Sequence, residues 1–269
     1  MSEPHSFDLD DDRQVAFYDE APLWSTLAGT LLLEHVPLDA RRALDLGCGT
    51  GFPLLELAER LGPAARVAGL DPWRAAVSRA GAKRDAWPVP GAGLVRGDGA
   101  AMPFRSTAFD LVVSNLGVNN FADVDAALAE CRRVLRPGGR LALATNLAGT
   151  MRELYAAFER ALAGDAAALE RLARHVAHRV SIESLGGRLE AAGLRVTVVH
   201  RREAVLRFAN ATALFEHHFM RLGFRAAWEE VAGGAAGVER LRDEVDARAR
   251  ADGEVRLTVP FAYVEAQRE

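Results

Sequence analysis

The chain has 269 residues, 49% of them hydrophobic, which is enough to bury one sizeable core, and its formal net charge of −4 argues against a generic binder of phosphate backbones. Two cysteines, Cys48 and Cys131, are too few for a disulfide framework or a thiolate metal cluster. No basic-then-apolar leader opens the sequence and no apolar run approaches membrane-spanning length, so the expectation is a cytoplasmic protein with neither membrane nor nucleic acid as partner.

Residues 1–12, with the acidic run Asp8 to Asp12, read as a frayed tail, because like charges at that density gain little from packing. Residues 13–40 follow, with Tyr18 and then Trp24, Leu27 and Leu31 in helical register. The first strand is placed at 42–46 and runs into Gly47-Cys48-Gly49-Thr50-Gly51. Glycine has no Cβ and adopts positive φ freely, so this loop can reverse sharply and press its backbone against a ligand. Leu54, Leu57, Ala58 and Leu61 then fall on one helical face, with Pro53 near the first turn, where its missing N–H is harmless.

Further strands are placed at 66–71, 93–97, 109–115 and 139–146, separated by crossover-length segments. A helix with Val124, Leu128, Cys131 and Leu135 on one face ends at the turn Arg136-Pro137-Gly138-Gly139. Residues 147–180 read as two amphipathic helices, one carrying Met151, Leu154, Tyr155 and Phe158, the other Leu169, Leu172 and Val176. After a strand at 194–200, residues 207–252 read as helix, opening at Asn210 or Thr212 with Phe215, His218, Phe219 and Leu222 on one stripe. A last strand is placed at 255–264. This is an α/β doubly wound pattern in a single domain, with 13–40, 147–180 and 207–252 left over as lid or substrate-cap elements. In such sheets ligands bind beyond the carboxyl ends of the strands, and Asp45, Asp71, Asp98 and Asn115 all fall at predicted strand ends.

The glycine loop lacks the sixth-position glycine of the dinucleotide fingerprint, since Phe52 stands there, and NAD fits poorly. An acidic residue still closes the second strand, Asp71, twenty residues past Gly51. With Asp45-Leu-Gly-Cys-Gly-Thr-Gly51, Asp71, Gly97-Asp-Gly-Ala-Ala-Met-Pro-Phe104, Phe109-Asp-Leu-Val-Val-Ser-Asn115 and Arg136-Pro-Gly-Gly139, residues 40–146 resemble the class I S-adenosylmethionine-dependent methyltransferases of the small-molecule type.

That resemblance implies a seven-stranded, mostly parallel sheet with an antiparallel last strand, and S-adenosylmethionine as cofactor with S-adenosylhomocysteine as product. It implies that the loop of Gly47, Cys48, Gly49 and Gly51 lies beneath the methionine and ribose portions. Asp71 would accept from the ribose hydroxyls, and Asp98 with Gly99 and Ala100 would meet the adenine edge. Pro72 and Trp73 would lie against its face, Asp45 and Asn115 would meet the ammonium, and Tyr18 would close over the cofactor. A small-molecule acceptor would sit near Trp24, Asn119, Asn120, Tyr155 and Phe215. A carrier-bound acyl group or protein acceptor is the second reading, and a non-catalytic cofactor-binding or scaffold module the third.

Methyl transfer needs an aimed nucleophile and exclusion of water more than it needs a triad. The candidate bases are His218, which shares a stripe with Phe215 and Phe219, and its neighbour His217. Adjacent on one helix, the two would point about 100° apart. His175-x-x-His178 finds no third ligand at compatible spacing, so no metal is expected, and Lys83 is the only lysine for Schiff-base chemistry. Oligomeric state and the methylated atom are not encoded in any motif.

Overall fold

A computed structural model describes residues 10–269 of the chain. The first half runs α1 (Asp12–Glu20), α2 (Leu23–His35), β1 (Arg42–Leu46), α3 (Leu54–Leu61), β2 (Arg66–Asp71), α4 (Arg74–Ala86), β3 (Ala92–Arg96), β4 (Phe109–Asn115), α5 (Val124–Val134) and β5 (Leu135–Asn146). The second half runs α6 (Arg152–Ala161), α7 (Ala166–Ala177), α8 (Ile182–Ala191), β6 (Leu194–Phe208), α9 (Ala211–Phe215), α10 (His218–Gly223), α11 (Arg225–Ala232), α12 (Ala235–Asp252) and β7 (Val255–Arg268). The strands form one seven-stranded sheet in the order β3-β2-β1-β4-β5-β7-β6, with β5 and β7 antiparallel. The doubly wound α/β architecture is therefore present, including its antiparallel final strand.

The chain divides into two compact units. Residues 10–146, 181–202 and 261–269 form a sheet unit, and residues 147–180 and 203–260 form a helical unit.

In the sheet unit, β1 pairs in parallel with β2 on one side and β4 on the other, and β3 and β5 extend the parallel ladder. All seven residues of β4 are buried, as a central strand covered on both faces requires, with Asp110, Ser114 and Asn115 flanking an apolar centre. Leu54, Leu57 and Ala58 turn the buried stripe of α3 inward, and Asp123 caps α5 by accepting from the Ala126 amide. Asp110 ties β4 to the start of β1: its Oδ2 accepts from the amides of Arg41 and Arg42, both at 2.9 Å, and its Oδ1 pairs with Arg136 Nε at 2.9 Å. Helix α1 packs Val15 on Ala75 and Ala76 of α4, and α2 packs against β4 and β5.

The helical unit has its own aromatic core. Trp228 of α11 takes Phe158 of α6 and Phe215 of α9 edge-on, at centroid distances of 6.5 and 5.6 Å, and stacks on Phe224 at 5.5 Å. Asp165 caps α7 by accepting from the Ala168 amide. Glu153 accepts from both the amide and the hydroxyl of Thr258.

Four expectations are corrected. The acidic residues Asp11 and Asp12 do not fray but open α1, with Asp11 as its N-cap accepting from the Arg13 amide; residues 1–9 of the expected tail lie outside the described residues. The Arg136–Gly139 turn lies within β5, as an irregularity where the register with β4 jumps from Phe109↔Leu135 to Leu111↔Arg140. The sixth strand continues to Phe208, past Arg201-Arg202-Glu203, because an edge strand tolerates charge on both of its faces. The helix expected through Phe215 and His218 is broken: Asn210 caps α9, and His217, with extended backbone, precedes α10.

Removing the Asp110 carboxylate leaves two strand amides and Arg136 without their acceptor. Asp110→Ala is expected to lower unfolding free energy by about 1–2 kcal/mol in chemical denaturation, the order for losing charge-assisted bonds to two part-buried amides and a solvent-screened Arg136; a loss below ~0.5 kcal/mol would mean that water replaces the carboxylate at no cost.

Candidate functional site

Parallel strands order the site. Asp45 ends one residue short of the β1 terminus, Asp71 closes β2, Asp98 follows β3 by two residues and Asn115 closes β4, so the four expected residues share the carboxyl edge of neighbouring strands. Between β1 and α3 the loop reverses with Gly47, Gly49 and Gly51 at φ of 77°, 51° and 100°, a left-handed path closed to most side chains. A Cβ on Gly49 would meet nothing within 4 Å, so the backbone there faces open space.

The loop is held in place by hydrogen bonds that the motif alone does not disclose. The amides of Gly47 and Cys48 donate to the Leu70 carbonyl at 2.8 and 3.2 Å. Asp71, 3% exposed, accepts from the Gly49 amide through Oδ2 at 2.8 Å and from the Trp73 amide through Oδ1 at 3.0 Å. Burial raises its carboxyl above the usual carboxylate value, against the opposing effect of those two amides. Thr50 hydrogen-bonds Asp19 of α1, which also accepts from Arg79 at 2.8 Å and Lys83 at 2.6 Å on α4. Burial works to raise Asp19, but these partners outweigh it and hold it below the ordinary value. Ser114 Oγ donates to the Leu46 carbonyl at 2.7 Å and secures the other side.

Asp45 is the exception in this network. It is 0% exposed, and neither of its oxygens has a hydrogen-bond partner. Burial, then the nearby charge of Asp71, push its carboxyl up to about 8 against the smaller opposing effect of the Leu54 amide, which lies outside hydrogen-bond geometry. One strand away, Asn115 donates through Nδ2 to the Ser25 carbonyl at 3.0 Å, while its Oδ1 is also buried and unpartnered. Three orphaned acceptor atoms on adjacent strands call for a compact donor carrying positive charge.

Helix α2 closes over this region because Gly29 lets it approach: a Cβ there would stand 2.2 Å from the Phe52 ring. Tyr18 bonds Ser25 and senses Asp71; burial, first, raises its phenol. Trp24, 7% exposed, meets Phe261 edge-on at 6.0 Å. Cys48 contributes backbone only, since its Sγ packs where a Gly69 side chain would stand. Asp98 is exposed and its Oδ1 accepts from the Ala100 amide at 2.9 Å, while Gly99 packs against Leu46. Pro72 is exposed, and Trp73 beside it is 39% exposed.

Asn119 and Asn120 are committed within the sheet unit. Asn119 Nδ2 donates to Thr145 Oγ1 at 2.9 Å and to the carbonyl of Asn146 at 2.7 Å, and Asn120 Nδ2 donates to the Leu116 carbonyl at 2.8 Å. The remaining expected residues, Tyr155, Phe215, His217 and His218, belong to the helical unit. Phe215 is core, lying between Trp228 and the Arg242 guanidinium, which is 5.1 Å from its ring centre. Since the helix breaks between them, the two histidines do not diverge as they would on one helix; their rings lie 4.4 Å apart, tilted by 32°. His217 carries the buried, unpartnered Nδ1, and burial and then His218 lower its pKa below the ordinary value, which favours the neutral ring at pH 7. Among the described residues no three metal-ligating side chains gather, and no helix is long and apolar enough to cross a membrane.

Asp19, Ser25, Thr50 and Ser114 escaped the sequence reading. Asp19 and Ser25 lie outside any motif, Thr50 and Ser114 lie inside motifs that assign them no role, and each role depends on a backbone carbonyl or carboxylate brought from a distant segment.

Residues 44–143 match the family model of a methyltransferase domain. The chain is 42% identical over 120 residues to the demethylmenaquinone methyltransferase of Thermus thermophilus, covering 44% of this chain and 51% of that protein. It is 38% identical over 135 residues to the malonyl-[acyl-carrier protein] O-methyltransferase of Methylococcus capsulatus, covering 50% and 46%. The matches thus span about half the length of these curated relatives. A solved SAM-dependent methyltransferase from Aquifex aeolicus superposes with a TM-score of 0.56 at 19% identity, over 70% of this chain and 91% of that one, a likeness of fold.

Because Asp45 folds with its pKa raised from 3.8 to about 8, its contribution to stability is complete below the unfolded value and is lost as pH climbs towards 8. Asp45→Asn is therefore expected to raise the melting temperature of the ligand-free protein, by more at pH 8 than at pH 5. A melting temperature that falls at pH 8 would show the carboxylate to be paired.

Proposed function

We propose that the protein, whose residues 44–143 match the family model of a methyltransferase domain, is a class I S-adenosylmethionine-dependent enzyme that transfers a methyl group from S-adenosylmethionine to a small-molecule acceptor. The observation that carries this reading is the set of orphaned acceptors at Asp45 and Asn115 beside an open glycine backbone. An amino-acid ammonium is a donor of the required size and sign, and the N-terminus of α3 suits the neighbouring carboxylate. Asp71 has two carboxylate oxygens, each with one lone pair left after its amide bond, and these suit a vicinal diol.

When bound, the cofactor supplies an electrophilic methyl on a sulfonium; the chain has to bind, orient and remove a proton. Asp45 and Asn115 hold the amino-acid end, Asp71 holds the sugar and keeps the Gly49 turn closed beneath it, and Asp98 with Gly99 and Ala100 borders the base. Methyl displacement disperses charge, so positioning and desolvation carry most of the rate. Within the helical unit the candidate bases are His217 and His218, with His217 favoured because its ring is neutral and has a nitrogen to spare.

Two measurements test this reading. Asp71→Ala is expected to weaken S-adenosylmethionine binding by about 1–3 kcal/mol in titration calorimetry, the range for charge-assisted bonds; unchanged affinity removes Asp71 from the cofactor site. Pairing with the ammonium ionises Asp45, so binding near pH 7 is expected to release up to about one proton, read from the buffer dependence of the binding enthalpy, and a wild-type value in Asp45→Asn would break that assignment. Labelled methyl offered to a small-molecule panel and, separately, to an acylated carrier protein decides the acceptor class.

A further inference from the structure

The helical unit contains a buried cation without a counter-ion among the described residues. Arg179, just past the end of α7, is 8% exposed, and its Nη1 is buried with no hydrogen-bond partner. Its guanidinium carbon lies 5.8 Å from the centre of the Tyr155 ring. No carboxylate among the described residues forms an ion pair with it, whereas most other arginines of the chain have one or donate to a carbonyl. A cation–π contact at that distance recovers only part of the hydration that a buried guanidinium gives up, so the shortfall points to an anion.

The neighbours define its kind. Tyr155, itself buried, has its hydroxyl 2.9 Å from His175 Nε2, and half-buried His175 and exposed His178 stand at the rim. Burial, then the charges of Arg179 and His178, push His175 down to about 4, so the ring adds no positive charge at pH 7. One fixed cation matches one negative charge. When His175 donates from Nε2, the Tyr155 hydroxyl proton is free to reach a second oxygen. A planar guanidinium nitrogen and a phenol are the donors that a carboxylate takes, whereas a phosphate dianion would leave one charge uncompensated.

We propose that Arg179 and Tyr155, backed by His175, bind the carboxylate of a small organic anion in the helical unit. The site is built by residues of that unit alone and stands whether or not its ligand is the methyl acceptor.

Equilibrium dialysis of the full chain with benzoate, acetate, benzamide and inorganic phosphate tests it. Saturable binding of a carboxylate is expected, with none for benzamide and weaker binding for phosphate. Arg179→Gln should weaken carboxylate binding at least about tenfold, the scale of a lost charge-assisted bond, Arg179→Lys should fall between the two, and Tyr155→Phe should weaken binding without abolishing it. Carboxylate occupancy should also move the His175 ring resonances in wild type and not in Arg179→Gln. Cofactor affinity, measured in the same variants, should stay at the wild-type value, so a protein that binds no cofactor would strike the methyl-transfer reading and leave this one standing. Absence of saturable binding by either carboxylate, equal binding in Arg179→Lys and wild type, or tighter binding of phosphate overturns it.

Discussion

A carboxylate sealed at the end of a central strand with nothing to accept from is the constraint around which the site is organised. Asp45 sits where β1 enters the glycine loop, with Asp71 one strand away, and two carboxylates in that setting cannot both be ionised cheaply. The protein resolves the conflict unequally. Asp71 receives two backbone amides at hydrogen-bond distance, whereas Asp45 feels only the Leu54 amide, which makes no hydrogen bond to it. Its unmet demand is that of a buried acid with no cation beside it among the described residues.

The geometry survives this cost because the surroundings are over-determined. Leu70 and Asp71 grip the loop from β2, Asp19 reaches Thr50 from α1 while bound to two cations of α4, and Ser114 holds the Leu46 carbonyl from β4. Each contact is an ordinary hydrogen bond or ion pair. Together they leave the loop few ways to relax towards Asp45, and the buried strands β1 and β4 beneath supply the apolar burial against which the unpaired carboxylate is tolerated. The helical unit, with its aromatic core around Trp228, shows the same contrast: well-satisfied packing and isolated polar atoms at His217 and Arg179. Buried polar groups left unsatisfied in this way mark where binding energy is still to be gained.

Most of the sheet was legible in the residues because its strands are short apolar runs between turns, and β1, β2 and β4 begin and end where the pattern places them. Legibility failed where the local signal and the tertiary role diverge. Arg201-Arg202-Glu203 looks like the end of a strand, yet it continues an edge strand. Phe215 to Leu222 has helical spacing, yet the backbone extends at His217, which changed how the two histidines face each other. Arg136–Gly139 has the composition of a turn and sits as an irregularity inside β5. Asp71 was read as a ligand for sugar hydroxyls, and its hold on Gly49 was invisible because the donor is a backbone amide.

The amino-acid sequence by itself determined the strand-loop-helix crook and the acidic residues at successive strand ends, because glycine spacing and apolar periodicity are local properties of the chain. Tertiary structure decided which of those acids is satisfied and which is not, which histidine nitrogen is left over, and that Arg179 is a cation without an anion. Those distinctions depend on burial and on partners from distant segments, and the free energy of a charge is set by what surrounds it.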